Sequence, residues 1–444
     1  MTRTQNMTDT ASPITLALAG ETLCTRRHSS YDDAPFTGLV NLIRDADVSV
    51  TNLETRVHTF KGYPMPTDTM GHGQSYQQAD PFVAEELRWM GFDMIARSNN
   101  HGMDFGPEMV EEEGEILDAA GFVHAGAGMN LAAATRPAYF ETPRGRVALI
   151  SLCTDFPPHC PAGEQRPDMQ GRPGINAFHF DTRYELDTAA FASLKSAMQD
   201  FGLANRVKGD RIISFDQLFV EAERSQAIHT ARQADFERNI RAISEARRAA
   251  DYVLIHIHQS TKTGHRAADR IQTLCRSFID AGADVILGDG PHVLQGVEIY
   301  KGRPIFYSLG NFFYQSETIK RFPAEFYERA GLGHDATPQD ALDFRDSLRT
   351  GRTASDKVIA GRTGEAYMKW FEALLAEVVF EGPRLVEIRL HPVWNYHERR
   401  SQRGLPRLAP DEHAADILRR MQDYSTEWGT HIRVSENVGY IHPA

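Results

Sequence analysis

Two apolar runs in this 444-residue chain each end in a cluster of histidines and carboxylates. The first run leads to His256 and His258, and the second leads to Asp289 and His292. Apolar runs of this length are typical of buried strands, and ligands of open α/β sheets are held beyond the carboxyl ends of the strands. Because imidazole and carboxylate groups bind metals and transfer protons, this pattern predicts an enzyme.

Polar side chains follow three earlier apolar segments in the same way. These segments end at Glu21, at Asn52 and Glu54, and at Asn100 and His101. A cluster of oxygen and imidazole ligands without a nearby thiolate suits a divalent ion, either Mn, Fe or Zn or the harder Ca or Mg. The recurrence at several strand ends therefore predicts a metal site.

The segment Ser98–Gly106 (SNNHGMDFG) permits two interpretations. In the first, the Asn100 amide oxygen binds a metal, His101 transfers a proton, and Asp104 holds the His101 imidazole in one tautomer. In the second, the asparagines form a turn and Asp104 is the N-cap of a helix that starts at Pro107. The residues alone leave both interpretations open.

Alternation of strands and helices, followed by antiparallel hairpins, predicts an α/β sandwich with a mixed sheet. We expect a disordered N-terminus over 1–12 and a single catalytic domain over 13–400. Two charged or polar insertions, both predicted to be helical, interrupt this domain at about 180–250 and 317–370. The remaining residues, 401–444, are predicted to form a helical extension packed on the domain.

Composition and charge exclude several classes of protein. The formal net charge of −12 disfavours a nucleic acid partner. No stretch approaches the ~20 apolar residues of a membrane span, and no secretory signal is visible. The four cysteines lack metal-ligand spacing, so we expect free buried thiols in a reducing compartment and predict a cytoplasmic protein.

Four motifs together resemble the CapA family, which is named for poly-γ-glutamate capsule synthesis and belongs to the calcineurin-like metallophosphoesterase superfamily. They are NLE (Asn52–Glu54), NNHxxDxG (Asn99–Gly106), HIHQ (His256–Gln259) and the long string Gly288–Phe312. The resemblance covers roughly Ile14 to Gln315 and implies a four-layer α/β sandwich with one or two divalent ions at the strand ends. It implies metal binding or catalysis by a set of matched residues: Glu54, Asn100, His101, His258 and His292. Within this set, Asn100 is implied as a ligand and His101 as the proton-transfer group, with Asp104 behind it.

Three positions depart from the family pattern. Glu21 replaces an aspartate, Gln259 replaces a glutamate, and Asp289 replaces a histidine. The predicted metal ligands of this chain are therefore Glu21, Glu54, Asn100, His258 and His292. Since these changes exchange nitrogen for oxygen ligands and remove one anion, they favour a single, harder ion.

Three functions are compatible with these residues. The first is a metal-dependent hydrolase of a phosphoester or a peptide-like amide, with His101 protonating the leaving group. The second is a peptide epimerase, since the wider family is known to include one, that uses the pair His101–Asp104 and a second pair of His292 with Asp289 or His256. The third is a member without catalysis that binds an acidic polymer.

The partner predicted for the two enzymatic functions is a small molecule or a peptide. Arg26, Arg27 and Arg97 lie close to the motifs in sequence and are predicted to bind a phosphate or carboxylate of that substrate. The sequence leaves the oligomeric state open.

Overall fold

The computed structural model describes residues 12–66, 76–214, 217–259, 264–350 and 365–443. Apart from Ser12, the predicted disordered N-terminus lies outside the described residues, as does 351–364 of the second insertion. The chain divides into two compact units, one formed by Phe178–Asn239 and the other by the rest of the chain. None of the described helices has the length and apolar character required to cross a bilayer.

A ten-stranded mixed sheet, here called the first sheet, forms half of the larger unit. Its strands lie in the order Arg433–Ser435, Val438–Ile441, Arg384–Trp394, Glu372–Glu381, Ile14–Leu23, Val48–Leu53, Met94–Ala96 and Val123–Ala125. Asn311–Tyr314 also pairs with Ile14–Leu23, and Arg407–Leu408 pairs with Arg384–Trp394. The four strands from Ile14–Leu23 to Val123–Ala125 run parallel, so their carboxyl ends share one edge.

The second sheet has six strands, in the order Leu294–Tyr300, Arg303–Leu309, Val285–Asp289, Tyr252–His258, Gly145–Cys153 and Ala138–Thr142. The predicted hairpin is confirmed, since Ala138–Thr142 and Gly145–Cys153 pair antiparallel. The three strands Gly145–Cys153, Tyr252–His258 and Val285–Asp289 are parallel to each other. Their carboxyl ends therefore form a second shared edge.

The two sheets pack face to face around one apolar core. Leu16 and Leu18 of the first sheet and Leu254 and Leu287 of the second belong to the same buried cluster. Alternate residues of the first sheet, such as Ala17, point to its other face, where they contact the helices. Every second side chain of each central strand thus packs in the core between the sheets. Polar groups are found at the ends of these strands.

Helices cover the outer faces of both sheets and complete four layers. Ala34–Asp45 and Phe82–Met90 pack on the first sheet, and Asp269–Asp280 contacts the strand Val285–Asp289 of the second. The other helices are Gly106–Ala119, Leu131–Thr135, Thr188–Asp200, Gln233–Ala249, Ala324–Arg329, Pro338–Thr350, Glu365–Met368 and Asp411–Ser425. The architecture confirms the predicted calcineurin-like α/β fold. The four cysteines are buried free thiols, as predicted.

The first insertion differs from its predicted helical character. Besides the helix Thr188–Asp200, it forms a five-stranded sheet of Val207–Lys208, Arg211–Ser214, Gln217–Glu221, Phe180–Leu186 and Gln226–Ala231. These strands are short and leave one face in solvent, so their charged residues conceal the alternation that indicates a strand. The prediction of helix over these strands is wrong.

The C-terminal residues also differ in part from their prediction. The helix Asp411–Ser425 is present, and its Ile417, Leu418 and Met421 enter the core between the sheets. However, Val438–Ile441 pairs with Arg384–Trp394, so the end of the chain extends the first sheet. Residues 401–444 are therefore part of the sandwich and not only a helix packed on it.

Candidate active site

The ends of the central strands bring the predicted site residues together. Glu21 lies opposite Asn52 in the parallel register of the first sheet, and His258 lies opposite Asp289 in the second. These four side chains have at most 1% of their surface exposed. Because the two sheets pack face to face, both strand edges contribute to one polar cluster inside the sandwich.

Two overlapping groups in this cluster have the geometry of a cation site. Glu21, Glu54 and His292 form one group, and Glu21, His258 and Asp289 form the other. In each group the potential ligand atoms all lie within 4.8 Å of one another. Glu21 belongs to both groups, so one ion or two neighbouring ions could share its carboxylate.

Buried polar atoms without partners indicate that these residues fit a cation. Neither carboxylate oxygen of Glu54 accepts a hydrogen bond from a nitrogen or hydroxyl donor among the described residues, and the same holds for Oδ1 of Asn100. Buried oxygen atoms of this kind are costly unless they are paired. A divalent ion would satisfy them, and carboxylate, amide and imidazole donors are a suitable ligand set.

The charges in the cluster support the same conclusion. Burial, assisted by the carboxylates of Glu54 and Asp289, raises the pKa of Glu21 to about 7 despite the neighbouring His292. Burial disfavours the charged form of His292, but Glu21 and Glu54 outweigh it and raise the pKa of that imidazole to about 9. An ion bound through His292 Nε2 would take the place of a proton.

The loop after Met94–Ala96 holds His101 in a defined orientation. Asp104 Oδ2 lies 2.6 Å from His101 Nδ1, and the Asn99 side chain accepts a hydrogen bond from the His101 backbone N–H. The following helix, Gly106–Ala119, has Phe105 as its N-cap and no side-chain cap. The structure thus excludes Asp104 as the helix cap and shows its contact with His101, whereas metal binding by Asn100 and proton transfer by His101 stay predictions.

His101 Nε2 faces the cluster from this loop. It lies 3.7 Å from Glu54 Oε1, and the His101 side chain is about 10% exposed. Asn99 Nδ2 donates to Asn52 Oδ1 at 3.0 Å and to the Leu53 carbonyl at 2.9 Å, which ties the loop to the preceding strand. His101 is therefore fixed at the edge of the cluster, with Nδ1 at Asp104 and Nε2 on the side of Glu54.

His256, predicted as one possible partner of His292 in an acid–base pair, contacts Asp289 and Ser151. It is completely buried, its Nδ1 lies 2.8 Å from Ser151 Oγ, and its Nε2 lies 3.0 Å from both Asp289 oxygens. Asp289 Oδ1 also lies 2.9 Å from His258 Nδ1. His256 and His258 outweigh the effect of burial and hold the pKa of Asp289 well below its usual range. The structure thus places His256 behind Asp289, and Asp289, predicted as an acid–base group, belongs to one of the two groups that could hold a cation.

Gln259, the second departure from the family pattern, turns away from the cluster. Its Nε2 donates to Gln295 Oε1 at 3.0 Å and to the Tyr307 carbonyl at 3.3 Å. A glutamate at this position would face the same carbonyl and amide oxygens, so the neutral amide suits its surroundings. The missing negative charge is explained by local packing.

The three arginines predicted to bind substrate contact other parts of the protein. The Arg26 guanidinium donates to the carbonyls of Arg400 and Arg403, and Arg27 pairs with Glu86 at 3.1 Å. Arg97 is 2% exposed, and its Nε donates to Glu113 Oε2 at 2.9 Å. The buried position of Arg97 disagrees with its predicted substrate contact, whereas substrate binding by Arg26 and by the exposed Arg27 stays a prediction.

Arg97→Leu is expected to lower the free energy of unfolding by about 3 kcal/mol, because it leaves part of a buried ion pair without its partner. Arg27→Leu is the matched control, since the Arg27 side chain is 62% exposed, and we expect a loss below about 1 kcal/mol. Urea denaturation measures both values. A stable Arg97→Leu protein with weakened substrate binding would restore the original prediction.

Several residues that support the site were not predicted from the sequence. Arg56 donates from Nε to the Glu54 carbonyl at 3.2 Å and pairs with Glu113. Asn311 Oδ1 lies 2.9 Å from His292 Nδ1, and the Trp370 ring stacks on the His292 ring. Asn311 lies within the Gly288–Phe312 string, which the sequence already marked as a family motif. No motif in the sequence around Trp370 indicates that this residue contacts the site.

Gly290 allows the loop between Asp289 and His292 to form. Its φ is +105°, and an added Cβ would lie 2.2 Å from the Gln259 carbonyl oxygen. Gly290→Ala is expected to destabilise the protein by about 3 kcal/mol through backbone strain and overpacking. Gly302→Ala has a φ of +74° but open space, so we expect a cost of only about 1 kcal/mol. Equal effects of the two changes in chemical denaturation would contradict the importance of the close approach.

The fold and the cluster together define a calcineurin-like α/β protein with an acidic and histidine-rich group at its strand ends. Residues 15–316 match the profile of the family described as bacterial capsule synthesis protein PGA_cap, and the chain belongs to this family. The predicted resemblance to CapA proteins is thereby confirmed.

Relatives of known sequence agree with this assignment. The chain is 33% identical to the uncharacterized protein y4sH of Sinorhizobium fredii over 448 residues, 98% of this chain and 94% of that protein. The PGA biosynthesis protein CapA of Bacillus subtilis is 47% identical over 129 residues, which are 26% of this chain and 33% of CapA. A probable polyglutamine synthesis accessory protein of Mycobacterium tuberculosis is 24% identical over 218 residues, 49% of this chain and 44% of that protein.

Proposed function

We propose that this protein is a metal-dependent hydrolase that cleaves a peptide-like amide or a phosphoester. The observation that carries the proposal is the environment of Glu54. Neither oxygen of its buried carboxylate accepts a hydrogen bond from a nitrogen or hydroxyl donor among the described residues, and its Oε1 lies 3.7 Å from His101 Nε2 and 3.9 Å from His292 Nε2. A cation beside Glu54 would satisfy the carboxylate and leave His101 next to the reacting bond.

The proposed ligands come from both sheets. They are Glu21, Glu54, Asn100, His258, Asp289 and His292. A divalent ion held by them would act as a Lewis acid and lower the pKa of water at the site. His256 orients Asp289 through two contacts of 3.0 Å, and Arg56 fixes the backbone of Glu54 through its carbonyl. Such supporting contacts are what hold ligands in place for binding.

His101 is the proposed general acid. Asp104 holds the hydrogen on Nδ1, so in the doubly protonated ring the transferable proton is the one on Nε2, which faces Glu54 and the edge of the cluster. When the bond to the leaving group breaks, the proton on Nε2 passes to the leaving nitrogen or oxygen, and Asp104 stabilises the imidazole that remains. This assignment requires no movement of the loop, since the orienting contact already exists.

The names of two partial relatives favour an amide over a phosphoester. One is named for PGA biosynthesis and the other for polyglutamine synthesis, and both names refer to amide-linked polymers. In addition, Arg97, one of the three arginines predicted to bind a phosphate, is buried and donates to Glu113. We therefore place a peptide-like amide first among the substrates.

The experiment that tests the proposal combines metal analysis with activity measurements. Purified protein is assayed for bound Mn, Fe, Zn, Ca and Mg, treated with a chelator, and reloaded with single ions. Hydrolysis of γ- and α-glutamyl peptides and of a generic phosphodiester is measured at each stage. We expect at least one hydrolysis to be lost with the metal and restored by it. Activity that is indifferent to chelation would refute the proposal.

A second candidate function, epimerisation of a peptide, is favoured by one specific observation. His101 and His292 both direct Nε2 at Glu54, and each carries a carboxylate on Nδ1, Asp104 in one case and Glu21 in the other. In a two-base reaction, one imidazole would remove the Cα proton and the other would supply a proton to the opposite face. The partner of His292 is Glu21, which replaces the predicted pairing with Asp289 or His256.

Incubation of peptides in D₂O separates these functions. Deuterium at Cα without cleavage of the backbone would assign epimerisation, whereas a released amine or phosphate would assign hydrolysis. Metal-free protein that binds an acidic polymer tightly and catalyses neither reaction would assign the third function, binding without catalysis.

A further inference from the structure

His292 is held in an unusual backbone conformation. Its φ is +61°, a region that residues other than glycine rarely adopt, and it follows Gly290 and Pro291 in the loop after the strand Val285–Asp289. Strained residues of this kind persist only where their surroundings hold them, and they concentrate at functional sites. The contacts of the His292 side chain must therefore stabilise this backbone conformation.

Two groups besides Glu21 hold its imidazole. Asn311 Oδ1 lies 2.9 Å from His292 Nδ1, and the Trp370 ring stacks on the imidazole with a centroid distance of 4.9 Å and an angle of 26° between the planes. The Asn311 Nδ2 donates to the Trp370 carbonyl at 2.9 Å. A single amide group thus fixes both the histidine and the backbone that carries the indole.

The direction of these hydrogen bonds determines the state of the ring. Because Asn311 Nδ2 is the donor to Trp370, its Oδ1 must accept from His292 Nδ1, and the Glu21 carboxylate forms an ion pair with the same nitrogen. Nδ1 therefore carries a hydrogen, and Nε2, 3.9 Å from Glu54 Oε1, is the nitrogen that can bind an ion. Histidine ligands are commonly fixed in this way by a partner on the other nitrogen.

We propose that Asn311 and Trp370 are positioning residues that set the tautomer and plane of His292 for a divalent ion. The inference rests on the proposed metal site, and it gives a role to two residues that the sequence motifs did not indicate. Trp370 lies at the end of the insertion 317–370, so this segment contributes the face against which a ligand of the sandwich is held. The insertion thereby helps to build the metal site itself.

The test measures metal affinity, not turnover. Mn²⁺ binding to chelator-treated protein is followed by calorimetry and by quenching of tryptophan fluorescence. We expect Trp370→Ala and Asn311→Leu to weaken Mn²⁺ binding by about 10- to 100-fold. Trp370→Phe keeps an aromatic face and is expected to remain within about threefold of the unaltered protein, since stacking needs only a ring.

Trp89→Phe is the matched control, because Trp89 is 38% exposed on the helix Phe82–Met90. It should leave both the affinity and the Mn²⁺-dependent quenching unchanged, whereas Trp370→Phe should remove most of the quenching. Thermal unfolding of the metal-free proteins identifies any variant that fails to fold, and the two phenylalanine variants then carry the comparison. Unchanged affinity in Trp370→Ala and Asn311→Leu would overturn this inference alone. Failure of the unaltered protein to bind any ion would overturn the proposed function as well.

Discussion

Glu54→Gln is expected to weaken divalent-ion binding at least about 100-fold and to abolish hydrolysis. Changes in residues that only support a ligand cost about 10- to 100-fold in metal affinity, so the loss of a charged ligand should cost more. The Glu54 carboxylate is completely buried and lies within 4 Å of two imidazoles, so it has no solvent to replace the missing interaction. Calorimetric titration of chelator-treated protein with Mn²⁺ and Zn²⁺ measures the change.

Glu85→Gln provides the matched control for this variant. Glu85 is an exposed carboxylate on the helix Phe82–Met90, so the same substitution there should leave affinity and activity unchanged. Circular dichroism and the unfolding temperature of the metal-free proteins show whether Glu54→Gln still folds. A folded Glu54→Gln protein with undiminished metal affinity would remove Glu54 from the ligand set and with it the basis of the proposed function.

His101→Asn is expected to lower kcat by about 10²- to 10⁴-fold while metal affinity stays within a few-fold of the unaltered protein. His101 differs from the ligands because its Nδ1 is bound to Asp104 and its side chain reaches the edge of the cluster. Its removal should therefore abolish proton transfer without emptying the cation site. Single-turnover kinetics of metal-loaded protein measure the effect on chemistry.

Asp104→Asn should produce a smaller decrease in kcat than His101→Asn, because the imidazole remains but loses the carboxylate that orients it. An exposed histidine, His334, serves as the control through His334→Asn, which should leave kcat unchanged. A substrate whose leaving group needs no protonation should restore much of the activity of His101→Asn. Strong loss of metal binding in His101→Asn would instead make His101 a ligand.

Much of the fold was predictable because apolar periodicity reports directly on burial. Ile14–Leu23, Val48–Leu53, Tyr252–His258 and Val285–Asp289 are central strands buried along nearly their whole length, and each was visible as an apolar run. The strands of Phe178–Asn239 were missed because one face is in solvent and their alternation is masked by charge. Val438–Ile441 was missed because so short a strand is defined mainly by its two neighbours, Arg433–Ser435 and Arg384–Trp394.

The site was predictable to a similar extent. Glu21, Glu54, His258 and His292 were selected by type and position at strand ends, and the structure brings all four together. The arginines were selected by proximity in sequence, which says little about the direction of a long side chain. Arg97 follows a central strand, yet it points to Glu113 on the adjacent helix, because a buried guanidinium requires a buried carboxylate.

By itself, the sequence determined the central buried strands, the residues that end them, and the family to which the chain belongs, because these depend on residue type and local order. Only the tertiary structure decided the pairing of those residues. It joined Asp104 to His101, Glu21 to His292, and Asp289 to both His256 and His258. It also placed Trp370 on His292, across a separation of 78 residues in the chain. The His101–Asp104 pair lies within one loop and was one of two interpretations of the sequence. The other contacts arise from strand pairing within the second sheet, from the packing of one sheet on the other and from the return of an insertion, and no local pattern encodes them.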